Sequence, residues 1–136
     1  MPSPKAQTLL AWLLQIAAAA ILLQTLFFKF SGAEESVYIF STLGLEPWGR
    51  FATGTAELIA AGLLLSGKLA WWGAALALAI MLGALGGHLF GGLGIVVQGD
   101  GGLLFSLACA VAAMSALLLW LRRAQAPVQF PAPARA

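Results

Sequence analysis

Charge is scarce in this chain: Lys, Arg, Asp and Glu make up 9% of its 136 residues. A soluble globular domain carries roughly a quarter. So little polar surface cannot keep a monomer in water. There is one cysteine, Cys109, which excludes an intrachain disulfide and a CxxC thiol pair. It lies within an apolar run and reads as a packing residue. There is one histidine, His88, which excludes a haem held by two histidines of one chain. Basic residues stand singly apart from Arg122-Arg123, and the formal net charge is +2. Nothing in that pattern suggests nucleic-acid binding.

Apolar residues are abundant instead, at 61% of the chain with a mean hydropathy of +0.94. A helix crosses the hydrocarbon core with about 20 mostly apolar residues. Four stretches qualify: Thr8–Phe30, Trp48–Ser66, Leu69–Phe90 and Gly101–Leu121, the last reaching Arg122. Backbone groups in lipid must be bonded internally, so such runs should be helices. The first exceeds a signal-peptide core of about 7–15 residues and leads into Lys29 and aromatics, so it reads as a retained span. The expected fold is all-α: an antiparallel four-helix transmembrane bundle over residues 1–125.

The links differ. Gly67-Lys68 is so short that the second and third spans must form a hairpin. Gly91–Asp100 is glycine-rich. The first link is the longest. Its Ser31-Gly32-Ala33-Glu34 fits a capping box, followed by Val37, Tyr38, Ile39, Phe40 and Leu43 and by Gly44 as a stop. A short helix is expected there, at the interface or over the bundle mouth. Pro47 suits the first turn of the second span. Residues 126–136 read as a disordered, proline-rich tail.

Lys5, Lys68, Arg122, Arg123 and Arg135 fall on the side of the termini. Lys29 and Arg50 on the other side are offset by Glu34, Glu35, Glu46 and Asp100. The positive-inside rule places both termini in the cytoplasm. Trp48 at one end, and Trp71, Trp72 and Trp120 at the other, suit interfacial belts, with Trp12 on the cytoplasmic side.

This threading gathers Lys29, Arg50, Glu57, His88 and Asp100 in the outer half. Among inner-half positions, Gln15 is the main polar side chain. Arg50 and Glu57 lie close to two turns apart, about 10 Å along the axis, with Gly54 between them leaving room for a neighbour or ligand. A carboxylate that deep costs a few kcal/mol unless protonated or paired. Glu57 is therefore either a proton-accepting or ligand-binding group, or an ion-pair partner that fixes helix register. His88 is either a carbonyl-bonded structural residue or a proton relay or quinone contact. With Glu57 and Asp100 it makes a poor zinc set. Lys29 either snorkels or tunes the site. Asp100 sits at an N-cap position and can also face the site. Arg50, in a first turn, opposes the helix dipole and calls for an acidic partner or bound anion. Gly83, Gly87 and Gly91 form a GxxxG stripe for close packing within the bundle or between subunits.

In order and spacing these residues resemble the DoxX-like family of small four-helix membrane proteins. The match runs from about Leu22 to Arg123. It includes Lys29, Gly44-Leu45-Glu46-Pro47-Trp48-Gly49-Arg50, and Gly54 with Glu57-Leu58-Ile59-Ala60-Ala61. It continues through Met81-x-Gly83-Ala84, His88-Leu89, Leu93-Gly94-Ile95-Val96-Val97 and Asp100-Gly101-Gly102-Leu103-Leu104-Phe105. The resemblance implies a multi-pass protein of the bacterial cytoplasmic (inner) membrane and a place beside quinone- or thiol-linked redox enzymes. It transfers fold more firmly than chemistry. The expected function is an accessory membrane subunit with a soluble redox partner. A quinone headgroup would sit in the outer cavity, with Glu57 as proton acceptor and His88 as relay or hydrogen-bond partner. Lys29, Arg50 and Asp100 would surround the ligand. The competing expectations are an assembly subunit without chemistry of its own and a small-solute transporter or channel.

Overall fold

The structure is a computed structural model that describes residues 3–127. These form α1 (Pro4–Ser31), α2 (Glu34–Thr42), α3 (Trp48–Leu65), α4 (Ala70–Phe90), α5 (Leu103–Leu121) and a closing 3-10 turn (Arg123–Gln125). No strand occurs among the described residues. The expected all-helical class is present. Of the 126–136 tail, residues 128–136 lie outside the described residues.

α1 starts earlier than its apolar run suggests. Ser3 accepts a hydrogen bond from the Ala6 N–H, and Pro4 occupies the first turn, where its missing N–H is no loss. At 28 residues the helix is about 42 Å long at 1.5 Å per residue. It ends when Gly32 turns left-handed at φ +71° and its N–H closes on the Phe28 carbonyl. The Ser31–Glu34 capping box does not form. Ser31 is the last residue of α1, and Ala33 precedes α2 without a side-chain cap. The glycine terminates one helix, and the serine therefore cannot start the next. α5 begins at Leu103 rather than Gly101, because Gly101 and Gly102 hold φ of +69° and +86°, outside the helical region.

The four long helices pack as a closed ring in which α1 touches α3 and α5, and α4 touches the same two. Lys29 meets Glu57, while Gln15 meets Leu64, so α1 and α3 run antiparallel. The core is built from small residues: Ala11, Ala18, Ala19, Ala60, Ala61, Ala74 and Ala77, with Leu22, Leu64, Val111 and Leu118. Small side chains let backbones approach closely, the usual means of helix association where lipid removes the hydrophobic drive. At Gly73 the approach is tightest: a Cβ there would lie 2.6 Å from the Leu64 nitrogen.

Large apolar side chains point outward instead. Leu9, Phe27, Trp48, Leu82, Phe90 and Leu103 are all exposed. An apolar exterior this extensive suits a bilayer rather than water. α1, α4 and α5 are each long and apolar enough to cross a membrane. α3 is less apolar because it carries Arg50 and Glu57.

α2 lies against α1 and α3 with Phe40 buried. Leu43, one residue beyond it, covers the end of α4. Added Cβ atoms at Gly87 and Gly91 would fall 3.3 Å and 2.6 Å from the Leu43 side chain. Two glycines of the α4 stripe thus serve contacts inside the chain. Gly83 does not: a Cβ there would meet nothing within 4 Å.

Candidate functional site

The end of the ring away from Pro4 holds a cavity of about 670 Å³ lined by all five helices. Lys29 and Thr25 reach it from α1, Glu35 and Ser36 from α2, Glu57 from α3, His88 from α4, and Asp100 from the loop before α5. Most of the remaining wall is aliphatic or aromatic. The volume falls in the range of about 300–1,000 Å³ typical of small-molecule sites.

Glu57 is 3% exposed. Its Oε2 lies 3.1 Å from the Lys29 ammonium and 3.2 Å from the Thr25 hydroxyl. Thr25 is also 2.9 Å from the Leu22 carbonyl, so one hydroxyl proton serves two acceptors. A carboxylate withdrawn from water needs such pairing. The partner is Lys29, on the neighbouring helix, and not the Arg50 that shares a stripe with Glu57. The Phe30 ring explains this. It packs on Gly54, where a Cβ would come within 3.1 Å, and fills the gap between the two charged positions.

Arg50 turns the other way. Its Nε and Nη2 donate to Glu46 at 2.9 Å and 2.8 Å. Its Nη1 donates to the Lys29 carbonyl, one of the last four in α1 that have no intrahelical partner. The guanidinium also stacks 4.5 Å from the Phe51 centroid. The acidic partner expected for Arg50 is thus Glu46. The second partner is the carbonyl end of a neighbouring helix, where a cation is favoured. Arg50 is absent from the cavity wall and acts by holding Lys29 in place.

Asp100 accepts three backbone N–H bonds: Val97 at 3.0 Å and Gly102 at 2.8 Å on Oδ1, and Leu104 at 3.1 Å on Oδ2. Partial burial pushes its carboxyl up. The backbone donors of Leu104, Val97 and Gly102 outweigh that, His88 adds to them, and the net position is below the usual carboxylate value. The N-cap position of α5 is Gly102 rather than Asp100; Asp100, two residues earlier, holds the turn into the helix and bonds the Leu104 N–H of its first turn, and it faces the cavity as well.

His88 is 7% exposed, and its Nδ1 lies 2.7 Å from the Gly94 carbonyl. A carbonyl only accepts, so in the neutral ring the proton sits on Nδ1 and the Nε2 lone pair remains. No other hydrogen bond to this ring forms among the described residues. Its edge packs on Phe105 at a centroid separation of 5.5 Å. Among the described residues no group of three or more His, Cys, Asp or Glu side chains could hold a metal ion.

The opposite half of the ring is less plain than an apolar reading of it suggests. Gln15 is fully buried, its amide donates to the Leu64 carbonyl at 2.7 Å, and its oxygen accepts from Arg122 Nε at 2.8 Å. Gln125 closes the same end, donating to the Gly67 carbonyl and accepting from the Trp71 N–H. Arg122 faces the Trp12 ring, and its Nη2 is buried without a hydrogen-bond partner. An isolated Gln in a poly-apolar run is the one sequence signal for this bridge; its Arg122 partner is far away in the chain.

Of the five candidates, Lys29, Glu57, His88 and Asp100 share the cavity, and Arg50 supports it from behind. Sequence reasoning missed Thr25, the second partner of Glu57, which has no distinguishing pattern around it. No protein-family model, curated protein or solved structure matches the chain.

Proposed function

We propose that this is a DoxX-like protein of the bacterial cytoplasmic membrane, with four spans and both termini in the cytoplasm. It acts as the ligand-holding accessory subunit of a quinone- or thiol-linked redox system. In this reading α3 crosses with the three more apolar helices, since the closed ring gives its Arg50 and Glu57 internal partners. The observation that carries the proposal is the cavity itself. It joins an apolar wall to one ion pair and one unmatched imidazole nitrogen. A quinone head suits that lining. Lys29 retains ammonium donors beyond the one given to Glu57, enough to hold a carbonyl oxygen. Glu57 and His88 supply the groups that accept and relay a proton at the head. Arg50 and Asp100 keep the surrounding backbone in position. Electron exchange belongs to a separate soluble redox protein.

The test is addition of ubiquinone and menaquinone analogues to the detergent-purified protein. Binding with a rise in melting temperature, diminished in Glu57→Gln, supports the proposal. Absence of binding by every analogue overturns it.

An assembly subunit without its own chemistry is the second reading. It draws on the complete structural use of Arg50 and Asp100, each bonded to groups of the chain itself. A transport path gains no such support. Between Glu57 and Gln15 the interior is filled by Ala18, Ala19, Leu22, Ala60, Ala61 and Val111.

A further inference from the structure

The two ends of the ring are balanced differently in charge. All five carboxylate side chains lie toward the cavity end. Glu35, Glu57 and Asp100 are on the cavity wall, Glu46 is against Arg50, and Glu34 is in the first turn of α2. There Lys29 and Arg50 each have an acidic partner. Lys5, Lys68 and Arg122 stand at the Pro4 end, where no Asp or Glu is available to pair with them.

Arg122 shows the consequence most plainly. The residue is half-buried. Its Nε donates to Gln15, while its Nη2 is enclosed with no hydrogen-bond partner. A guanidinium withdrawn from water calls for a counter-charge, and no side chain supplies one. The guanidinium faces the Trp12 ring, 5.8 Å from its centroid. Trp12 is in turn one wall of a surface groove of about 600 Å³, whose other walls are Pro4, Lys5, Thr8 and Leu9. Lys5 has no ion pair among the described residues. Two cations without acidic partners, one from α1 and one from α5, thus share Trp12.

The placement matches the headgroup level of a bilayer. α1 has 28 residues, so at about 42 Å it outruns a hydrocarbon core of about 30 Å. Trp12 packs beside the turn between α3 and α4, where a Cβ on Gly67 would lie 3.5 Å from its ring. From the groove toward the middle of α1, Leu9, Leu13 and Ile16 are exposed at the spacing of one helix face. Positive charge, then an indole of the kind that sits at the membrane boundary, then an aliphatic stripe follow the order of groups along a phospholipid.

We infer that Lys5, Trp12 and Arg122 form a site for the phosphate of an anionic membrane phospholipid, with one acyl chain along Leu9, Leu13 and Ile16. The lipid supplies the counter-charge that Arg122 lacks and joins α1 to α5 where Gln15 and Arg122 already bridge them. This rests on the bundle lying in a bilayer and is independent of what the cavity holds.

The experiment titrates the detergent-purified protein with phosphatidylglycerol and with phosphatidylcholine of the same chains, reading bound lipid by native mass spectrometry. A basic side chain near a headgroup is worth about fivefold in affinity for an anionic lipid, so two should favour phosphatidylglycerol about thirtyfold. Lys5→Gln changes an exposed residue and should cut the preference to about fivefold. Adding Arg122→Gln should remove it. Arg123→Gln deletes the same charge one residue on, from a side chain turned to Trp120, and should leave the preference unchanged. Excess inorganic phosphate should not displace the lipid. Equal affinity for the two lipids overturns the inference. So does a loss in Arg123→Gln equal to that in Lys5→Gln, the mark of a diffuse basic rim. Displacement by inorganic phosphate overturns the lipid as the source of the anion. The quinone titration is a separate readout, so the failure of either reading leaves the other standing.

Discussion

Lys29 and Glu57 join the last turn of α1 to the middle of α3 through a 3.1 Å ion pair, of which the carboxylate is almost wholly enclosed. Removing one partner leaves the other charge buried and unpaired, at a cost of about 3–5 kcal/mol. Removing both leaves no charge behind. Lys29→Met or Glu57→Gln alone should therefore lower the thermal midpoint in detergent, the lysine variant more because it strands a carboxylate. The double variant should recover most of the loss. A double variant at least as unstable as the sum of the singles contradicts the pairing.

Asp100 gives a pH dependence with a defined sign. Its folded carboxyl titrates below its unfolded one. The stabilisation is thus fully present above the unfolded value and is lost as pH falls through the folded value. Melting temperature should drop on the acid side in the wild type. Asp100→Ala should lower stability at neutral pH by about 0.5–2 kcal/mol, as for loss of a side-chain acceptor at a helix start, and flatten the acid limb. Parallel pH profiles for variant and wild type contradict the assignment.

Two α4 glycines should behave in opposite ways. Gly73→Ala forces a Cβ against backbone atoms of Leu63 and Leu64. Overpacking of this kind costs about 1–3 kcal/mol. Gly83→Ala meets nothing and should be neutral or mildly stabilising through helix propensity. Thermal denaturation of the two variants side by side decides the point.

At the end of the ring opposite the cavity, Gln15 satisfies the Leu64 carbonyl and Arg122 together. Leu64 is among the last residues of α3, whose carbonyls have no helical partner. Gln15→Leu fits the apolar surroundings yet strands two buried polar groups, at about 1–3 kcal/mol each. It should destabilise more than a Gln24→Leu change on the exposed face of the same helix. Similar midpoints for the two variants contradict the bridge.

The helices were legible in the sequence because each apolar run is long and punctuated: Gly44 and Pro47 before α3, Gly67 before α4, and the glycine-rich loop before α5. Threading those runs up and down also brought Lys29, Glu57, His88 and Asp100 to one end, which needs only the rise per residue. Partner choice was not legible. Arg50 and Glu57 share a stripe, but Phe30 comes from another helix to separate them, and no pattern within α3 reveals that. The Gln15–Arg122 bond spans 107 positions and exists because α5 closes the ring against α1. The Ser31–Glu34 pattern misled for a local reason: Gly32 serves as the left-handed end of α1, so the neighbouring serine was already spent on that helix.

The most direct test is a high-resolution density map of the protein in lipid nanodiscs prepared with a ubiquinone or menaquinone analogue. The expected result is a head density within the cavity contacting Lys29, Glu57 and His88. A cavity holding only water, or closed by collapse of its apolar walls with the Lys29–Glu57 pair unchanged, would contradict it.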